Sequence, residues 1–386
     1  MPLRFKIPLL FTIVAIITSL ILTLFACFSG LQAIENTQQE QLKTTATIIQ
    51  KAFEEEAQNA GAKAEIIANI PVVKQALRAR DRNQLLQALL PLATIQRERY
   101  GVTEVNFQLP PATSFLRVFT PKQGIGEDLS GFRETVVRAN QRQELQIGLE
   151  IGRFTLSVRG VTPVADAQGH IGSFGIATGL GSILEKVKKI TGAELGVFVD
   201  NDLMLKVATS AKPPEPDQVI GGLRIDSSTN WQKVRSLVSA DLLRTVNDTK
   251  MIFQKIDDVS YGITLLPLVD FKGKKIGVIV AGQSLQELVS YGNKLLINAA
   301  ILGLLVIILL AGLGTIIFNG LLMRPIMALT NAINSLNMNH TMPPIHQISK
   351  RQDELGKMAL GLTLLAEQVN YGESASHHEG EVTNHD

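Results

Sequence analysis

The chain contains one cysteine, Cys27, among 386 residues. A disulfide framework, a CxxC pair and a haem-attaching CxxCH are therefore excluded, and any exported part must fold without covalent staples. Aromatic residues make up only 5% of the chain, and its net charge is +2. With no basic block interleaved with aromatics, a nucleic-acid partner is not expected. Histidine is also scarce: five of the six lie from His340 onward, and His170 falls in a turn. No Ser/His/Asp set emerges, so no catalytic residue is assigned. His377-His378 and His385 sit in a polar tail and are read as solvated, not as metal ligands. Gly124, Gly126 and Gly131 do not lead from a strand into a phosphate loop. The chain reads as a non-enzyme without metal or cofactor.

Apolar sequence is plentiful, at 45% of residues, and unevenly spread. Two runs, Ile7 to Phe28 and Leu295 to Phe318, are each long enough to cross a hydrocarbon core of roughly 30 Å as a helix. Arg4 and Lys6 precede the first, and Arg324, Lys350 and Arg351 follow the second. Both termini are therefore expected in the cytoplasm, with the intervening segment outside the inner membrane. Leu24-Phe-Ala-Cys27 resembles a lipoprotein cleavage box, but Phe25 stands where a small residue is usual. Helical sequence also continues directly beyond the run. It is read as an uncleaved anchor with Cys27 as a buried, inert thiol.

From Leu31 to Asn69 the apolar residues fall at helical spacing, which predicts a long stalk helix. Pro71 interrupts it, and shorter helices follow near Val72 to Ala79 and Asn83 to Arg99. At Gly101 the period becomes alternating: Val105, Phe107 and Leu109 face one way, Asn106 and Gln108 the other. Pro110-Pro111 ends that strand, and Ser114 to Phe119 begins the next. There Phe115, Arg117 and Phe119 share one face, with Leu116 and Val118 opposite. An arginine between two phenylalanines on a half-buried face needs an anion or a watery pocket beside it. Ser130 is expected to cap a helix from Gly131 to Asn140.

A further strand, Arg153 to Arg159, alternates cleanly. Phe154, Leu156 and Val158 form an apolar face; Arg153, Thr155, Ser157 and Arg159 form a polar one. Two arginines and two hydroxyls are suitable chemistry for a carboxylate, with Glu150 as an orienting partner. Next comes a strand-turn-strand unit, Thr162-Pro-Val164, Asp166 to Gly169, then Ile171 to Ala177. Its plan recurs: Pro267, Asp270, Gly273 and Ile276-Gly277 repeat Pro163, Asp166, Gly169 and Ile171-Gly172. Two sheet modules in tandem follow from this. The second contains the strand Glu194 to Val199, a polar hairpin at Asp200 to Asp202 and the loop Lys212 to Pro216. With fewer polar residues on any one face, it reads as mainly structural.

Beyond the second span, Ile326, Leu329, Ile333 and Leu336 give the seam of a parallel coiled coil. A connector from Asn339 to Ile348 follows, then a second seam of Leu355, Met358, Leu362, Leu365 and Val369. The polar end, Gly372 to Asp386, is expected to be disordered.

Two heptad helices with a proline opening the first and Asp353-Glu354-Leu355-Gly356 opening the second resemble a HAMP domain over Leu321 to Tyr371. Four segments carry a second likeness: Leu109 to Arg117, Asp128 to Arg133, Gly148 to Arg153 and Val158 to Val161. The region they belong to resembles the double Cache sensor domains of bacterial chemotaxis receptors and related histidine kinases. That resemblance implies a long helix packed on two stacked PAS-like sheets, with a small molecule bound in the membrane-distal module. The family often has histidine at positions 108 and 119; Gln108 and Phe119 stand here, so its usual ligand is not expected to carry over. The candidate ligand contacts are Arg117, Arg159, Arg153, Thr155, Ser157, Gln108 and Phe119.

The expected architecture is an α+β membrane protein. It comprises a first span (1–30), stalk and linker helices (31–100), a distal Cache module (101–182) and a proximal one (183–293). A second span (294–319), a cytoplasmic HAMP coiled coil (320–371) and a tail (372–386) complete it. No signalling hairpin, kinase core or cyclase module is recognised after Tyr371. A dimeric receptor is therefore expected to hand its signal to a full-length chemoreceptor or a histidine kinase in trans. The alternative is a non-sensing membrane scaffold that modulates such receptors.

Overall fold

The computed structural model describes residues 3–337 and 345–379. They form two compact units, one of Ala33–Tyr291 and one of the two chain ends, up to Gln32 and from Gly292.

In the first unit, helix α1 (Leu3–Ala68) contributes its part beyond Gln32, followed by α2 (Pro71–Arg78) and α3 (Arg82–Tyr100). The first sheet holds β1 (Val102–Leu109), β2 (Thr113–Arg117), β3 (Gln146–Ile151), β4 (Leu156–Asp166) and β5 (Gly169–Gly179), all antiparallel, in the order β2-β1-β5-β4-β3. Helix α4 (Glu134–Arg142) lies between β2 and β3 in the chain, and α5 (Leu180–Thr191) leads into the second sheet. That sheet holds β6 (Glu194–Asp200), β7 (Val219–Ile220), β8 (Leu223–Ser228), β9 (Lys250–Ile256), β10 (Val259–Val269) and β11 (Lys275–Ser284), in the order β7-β8-β6-β11-β10-β9. Helices α6 (Asn201–Val207), α7 (Trp231–Ser236) and α8 (Ala240–Arg244) fill its long connections. Apart from β7 the two strand orders correspond one for one. The repeat marked by Pro163 and Pro267 is thus a repeat of topology.

One face of the first sheet packs on the helices. Val105 and Phe107 of β1, Leu116 of β2, and Phe174 and Ile176 of β5 are buried with Ala64 of α1, Leu77 of α2 and Leu85 of α3. The tilted Phe107–Phe174 pair, with ring centroids 4.7 Å apart, sits within this layer. A second core is shared between the modules: Ile49 and Phe53 of α1 and Leu184 of α5 pack with Leu156 and Val158 on one side and Val197 and Ile279 on the other. Where α1 crosses β4 the backbones nearly touch. A Cβ on Gly160 would lie 2.3 Å from the Gly61 nitrogen and 2.4 Å from the Ala60 carbonyl carbon. Gly160→Ala is therefore expected to cost about 3 kcal/mol, the upper end of the overpacking range, read as a lower denaturant midpoint of residues 33–291.

Several local expectations need correction. The helix expected from Gly131 starts at Glu134, with Arg133 and not Ser130 in the capping position. The Ser130 amide instead donates to Asp128 Oδ1 at 2.9 Å, and this turn delays the helix. The expected hairpin at Asp200 is the start of α6, because Asp200 Oδ1 accepts from the Leu203 amide at 2.8 Å and caps it. Strand β4 begins at Leu156, not Arg153. Residues 152–155 reverse the chain between the hairpin partners β3 and β4, closed by the Gly152 amide donating to the Thr155 carbonyl at 2.8 Å.

In the second unit, the start of α1 and α9 (Gln286–Phe318) are each long and apolar enough to cross a membrane. They meet at small residues: Ser19 Oγ donates to the Gly303 carbonyl at 3.1 Å, and Gly303 faces Thr23. A π-helical turn, Asn319–Met323, joins α9 to α10 (Arg324–Asn337). Helix α11 (His346–Ser349) and α12 (Glu354–Glu379) follow. Leu329 and Ala332 of α10 pack with Ala359, Leu355 and Leu362 of α12, and Ile345 joins them. Ile326, Ile333, Met358 and Leu365 of the expected seams stay exposed within the single chain. Helix α12 runs past Tyr371 to Glu379, where disorder was expected: the added segment has no proline, and extending an existing helix is easy compared with starting one. Pro343-Pro344, the Val369, His377 and His378 side chains, and residues 380–386 with His385 lie outside the described residues.

Candidate ligand pocket

The other face of the first sheet carries the chemistry. Strand alternation puts Glu104, Asn106 and Gln108 of β1 on this face, with Arg117 opposite Asn106 and Ser114 opposite Gln108. On the far side of β5, Arg159 of β4 lies opposite Ala177, and Ala177 lies opposite Glu104. Small residues on β5, namely Ala177, Gly175 and Ser173, leave space above the sheet. The result is a cavity of about 270 Å³, at the small end of ligand pockets.

Of the expected contacts, Arg117, Arg159, Arg153, Gln108 and Phe119 line this cavity. Thr155 and Ser157 do not. Thr155 Oγ1 instead donates to Asp226 Oδ1 of β8 at 2.8 Å, because its residue belongs to the turn and not to the strand. Ser157 is buried with an unpartnered hydroxyl. Phe115, expected on the face of Arg117, is displaced by a bulge: β1 and β2 pair Phe107 with Leu116 but Gln108 with Ser114, leaving Phe115 as the extra residue. Its ring lies near the Arg80 and Arg82 guanidiniums, at 6.0 and 5.9 Å. Leu116 and Val118 do enter the core opposite.

The wall also holds residues that strand patterning did not single out. Glu104 binds Arg159 Nη2 at 2.8 Å and Arg133 Nη2 at 3.2 Å. Arg133 precedes α4 and is buried, as is Arg159. Arg97 of α3 lies over the Phe119 ring, 3.4 Å from its centroid. Glu127 accepts from both Arg117 and Arg153, the latter at 2.8 Å. Gly124, with a positive φ of 65°, lets the Arg117 guanidinium rest on the loop, since a Cβ there would sit 2.5 Å from Arg117 Cζ. Glu150, the expected orienting partner, accepts from the Thr135 amide and hydroxyl at 3.0 and 2.8 Å. It approaches Arg133 Nη1 and Arg159 Nε only to 3.7 Å. Both of those buried N–H groups therefore lack an acceptor.

The electrostatics follow from this crowding. Burial raises the Glu104 carboxyl, but Arg159 and Arg133 outweigh it and hold the group at about 2. Burial, then the like charge of Arg159, pushes the Arg133 guanidinium down to about 10 against the pull of Glu104 and Glu150. Five arginines (97, 117, 133, 153 and 159) line the cavity with Glu104, and four of them pair with Glu104, Glu127 or Glu150, so the cavity is short of negative charge.

The second sheet has no equivalent. By the register of the repeat, Phe198 stands where the first sheet has Gln108, and Ile263 where it has Arg159. Val234, Leu237 and Leu243 fill the space above them. The first module meets the second through its β3–β4 hairpin. Arg153 Nη1 donates to Thr209 Oγ1 at 3.1 Å, and its carbonyl accepts from the Ser210 amide at 2.9 Å. The Leu156 amide joins Thr155 on Asp226, at 3.1 Å. On β3, the Leu149 carbonyl accepts from the Phe271 amide at 2.7 Å, and Lys272 pairs with Glu134 at 3.1 Å.

The model of the dCache_3 family, described as the double sensory domain of two-component sensor kinase, matches residues 35–289. No curated protein matches the chain. Among solved structures, the sensory domain of the Campylobacter jejuni chemoreceptor Tlp3 with isoleucine bound is similar at 13% identity, covering 67% of this chain and 96% of its own, with a TM-score of 0.42. The periplasmic domain of Vibrio cholerae LuxQ is similar at 11% identity, with 62% and 98% covered and a TM-score of 0.39. The sensor domain of Escherichia coli DcuS aligns over 36% of this chain and 98% of its own, at 20% identity and a TM-score of 0.30.

Proposed function

The chain belongs to the dCache_3 family of double sensory domains, and from that premise we propose that it is a two-span inner-membrane receptor for a small anion. The observation that carries the ligand class is the lining of the cavity, in which Arg97, Arg117, Arg133, Arg153 and Arg159 face Glu104 as the one lining carboxylate. Guanidiniums withdrawn from water with too few carboxylates are costly, and a bound carboxylate offsets that charge. Arg159, Arg133 and Arg117 hold the anion, Gln108 and Phe119 border it, and Arg153 closes the mouth. The reading is of a binding protein and not an enzyme.

Ligand binding biases two arrangements of a homodimer, and the second span carries the difference to a cytoplasmic HAMP domain. The exposed Ile326, Ile333, Met358 and Leu365 support pairing of α10 and α12 with a second copy. From there the signal passes to a chemoreceptor or histidine kinase in trans. Thermal and denaturant unfolding of residues 33–291 against a panel of small carboxylates tests the ligand class. A binder at a hundred times its Kd adds about 2.7 kcal/mol of stability. A panel that leaves stability unmoved overturns the anion reading.

A further inference from the structure

The cavity has a second property, set by hydrogen bonds that begin outside it. Asn140 of α4 donates through Nδ2 to the Pro111 carbonyl and to the Val136 carbonyl, both at 3.1 Å. Carbonyls only accept, so these contacts fix which end of the Asn140 amide is nitrogen. Ser173 Oγ lies 3.1 Å from the same Nδ2, whose two hydrogens are shared among three acceptors, and since an amide nitrogen does not accept, the hydroxyl cannot donate to Asn140. Its single proton is then directed to Gln108 Oε1, 2.9 Å away. On the outer side, Asn140 Oδ1 lies 3.0 Å from His170 Nε2, which must be the N–H donor of that pair. With Oε1 occupied, Gln108 presents Nε2 to the cavity, and that end can only donate. Gln108, Ser173 and Asn140 are all buried, so water cannot readily reorient the chain of amides.

The carboxylates are committed in the same sense. Glu104 serves Arg159 and Arg133 and also accepts from Asn106 Nδ2 at 3.0 Å. Glu127 serves Arg117 and Arg153, and Glu150 serves Thr135. No carboxylate near the cavity is left to receive an ammonium group, which would also face the surplus arginines. We propose that Gln108, locked by Ser173 and Asn140, is a specificity residue that restricts the pocket to anions lacking an ammonium group, so that hydroxy acids and dicarboxylates bind and the matching amino acids do not. This inference rests on the anion-site reading and deepens it.

The test uses the full chain in detergent and three probe pairs that differ in hydroxyl against ammonium: L-malate and L-aspartate, 2-hydroxyglutarate and L-glutamate, L-lactate and L-alanine. The expected result is that at least one hydroxy acid binds, with a Kd about tenfold or more below that of its amino twin. Gln108→Glu places an acceptor where a donor stood and is expected to reverse or erase that ratio. Ser173→Ala frees the Gln108 amide to turn and is expected to narrow it, with circular dichroism confirming that both variants fold. An amino acid that binds the wild-type chain as tightly as its hydroxy twin overturns the filter and leaves the anion site standing. A ratio unchanged in both folded variants removes Gln108 from the role. If no probe of any pair binds, the anion reading fails and the filter with it.

Discussion

Replacing Glu104 with leucine is expected to lower the unfolding free energy of residues 33–291 by about 3–5 kcal/mol, the range for breaking a buried ion pair by removing one partner. The substitution leaves the buried Arg133 and Arg159 with Glu150 at 3.7 Å as their remaining anion. The triple change Glu104→Leu, Arg133→Met, Arg159→Met is expected to recover most of that loss, because apolar groups of similar size need no counter-charge. Urea unfolding distinguishes the two variants. The same carboxylate makes the protein acid-sensitive in a defined window. Its folded value of about 2 lies below the ordinary 4.5, so the unfolded chain takes up the proton first. The stabilisation is complete above pH 4.5, declines as pH falls below it, and is gone once pH drops past 2. The slope of stability against pH in that window should flatten in Glu104→Leu. An equal slope in both proteins would mean that other carboxylates set it.

Arg159→Met is expected to weaken binding of a small carboxylate by about 30- to 150-fold, or 2–3 kcal/mol, the worth of a hydrogen bond to a charged group. Its effect on stability should be smaller than that of Glu104→Leu, because Glu104 keeps Arg133 at 3.2 Å. Arg159→Lys is expected to recover only part of the affinity, since an ammonium cannot reproduce the planar fork. Arg153→Met should weaken binding less than Arg159→Met, as Arg153 already spends its guanidinium on Glu127 and Thr209. Titration calorimetry reads the order directly. An Arg159→Met chain that binds as the wild type does would place the anion elsewhere.

Much of this arrangement is legible in the chain before folding. Alternation in β1 assigns Phe107 to the core and Gln108 to the opposite face, and the same rule carried back two and four residues reaches Asn106 and Glu104. That step would have found the central carboxylate. Arg117 is visible because an arginine among phenylalanines demands an explanation. The bulge at Phe115 is not visible, since one extra residue in a strand changes the face without changing the composition. The alternation of Arg153 to Arg159 misleads for a related reason. Its first three residues form a turn whose position depends on where β3 ends, which only the pairing of Ile147 with Gly160 and Ile151 with Leu156 reveals. Arg133 and Glu127 come from a loop and a helix entry, where no period exists to mark a face. Their meeting with Glu104 and Arg153 is a property of the tertiary fold.

The β3–β4 hairpin is held at both ends by the second module: its turn by Thr209, Ser210 and Asp226, and its β3 strand by Phe271. Arg153 in that turn also grips Glu127, beside Arg117 at the cavity. Occupancy of the cavity and the seating of one module on the other are therefore expected to be linked through Arg153. By reciprocity, seating changes the Kd by the same factor by which ligand changes the seating, so Asp226→Ala or Thr209→Val, neither of which lines the cavity, is expected to shift the apparent Kd by up to that factor.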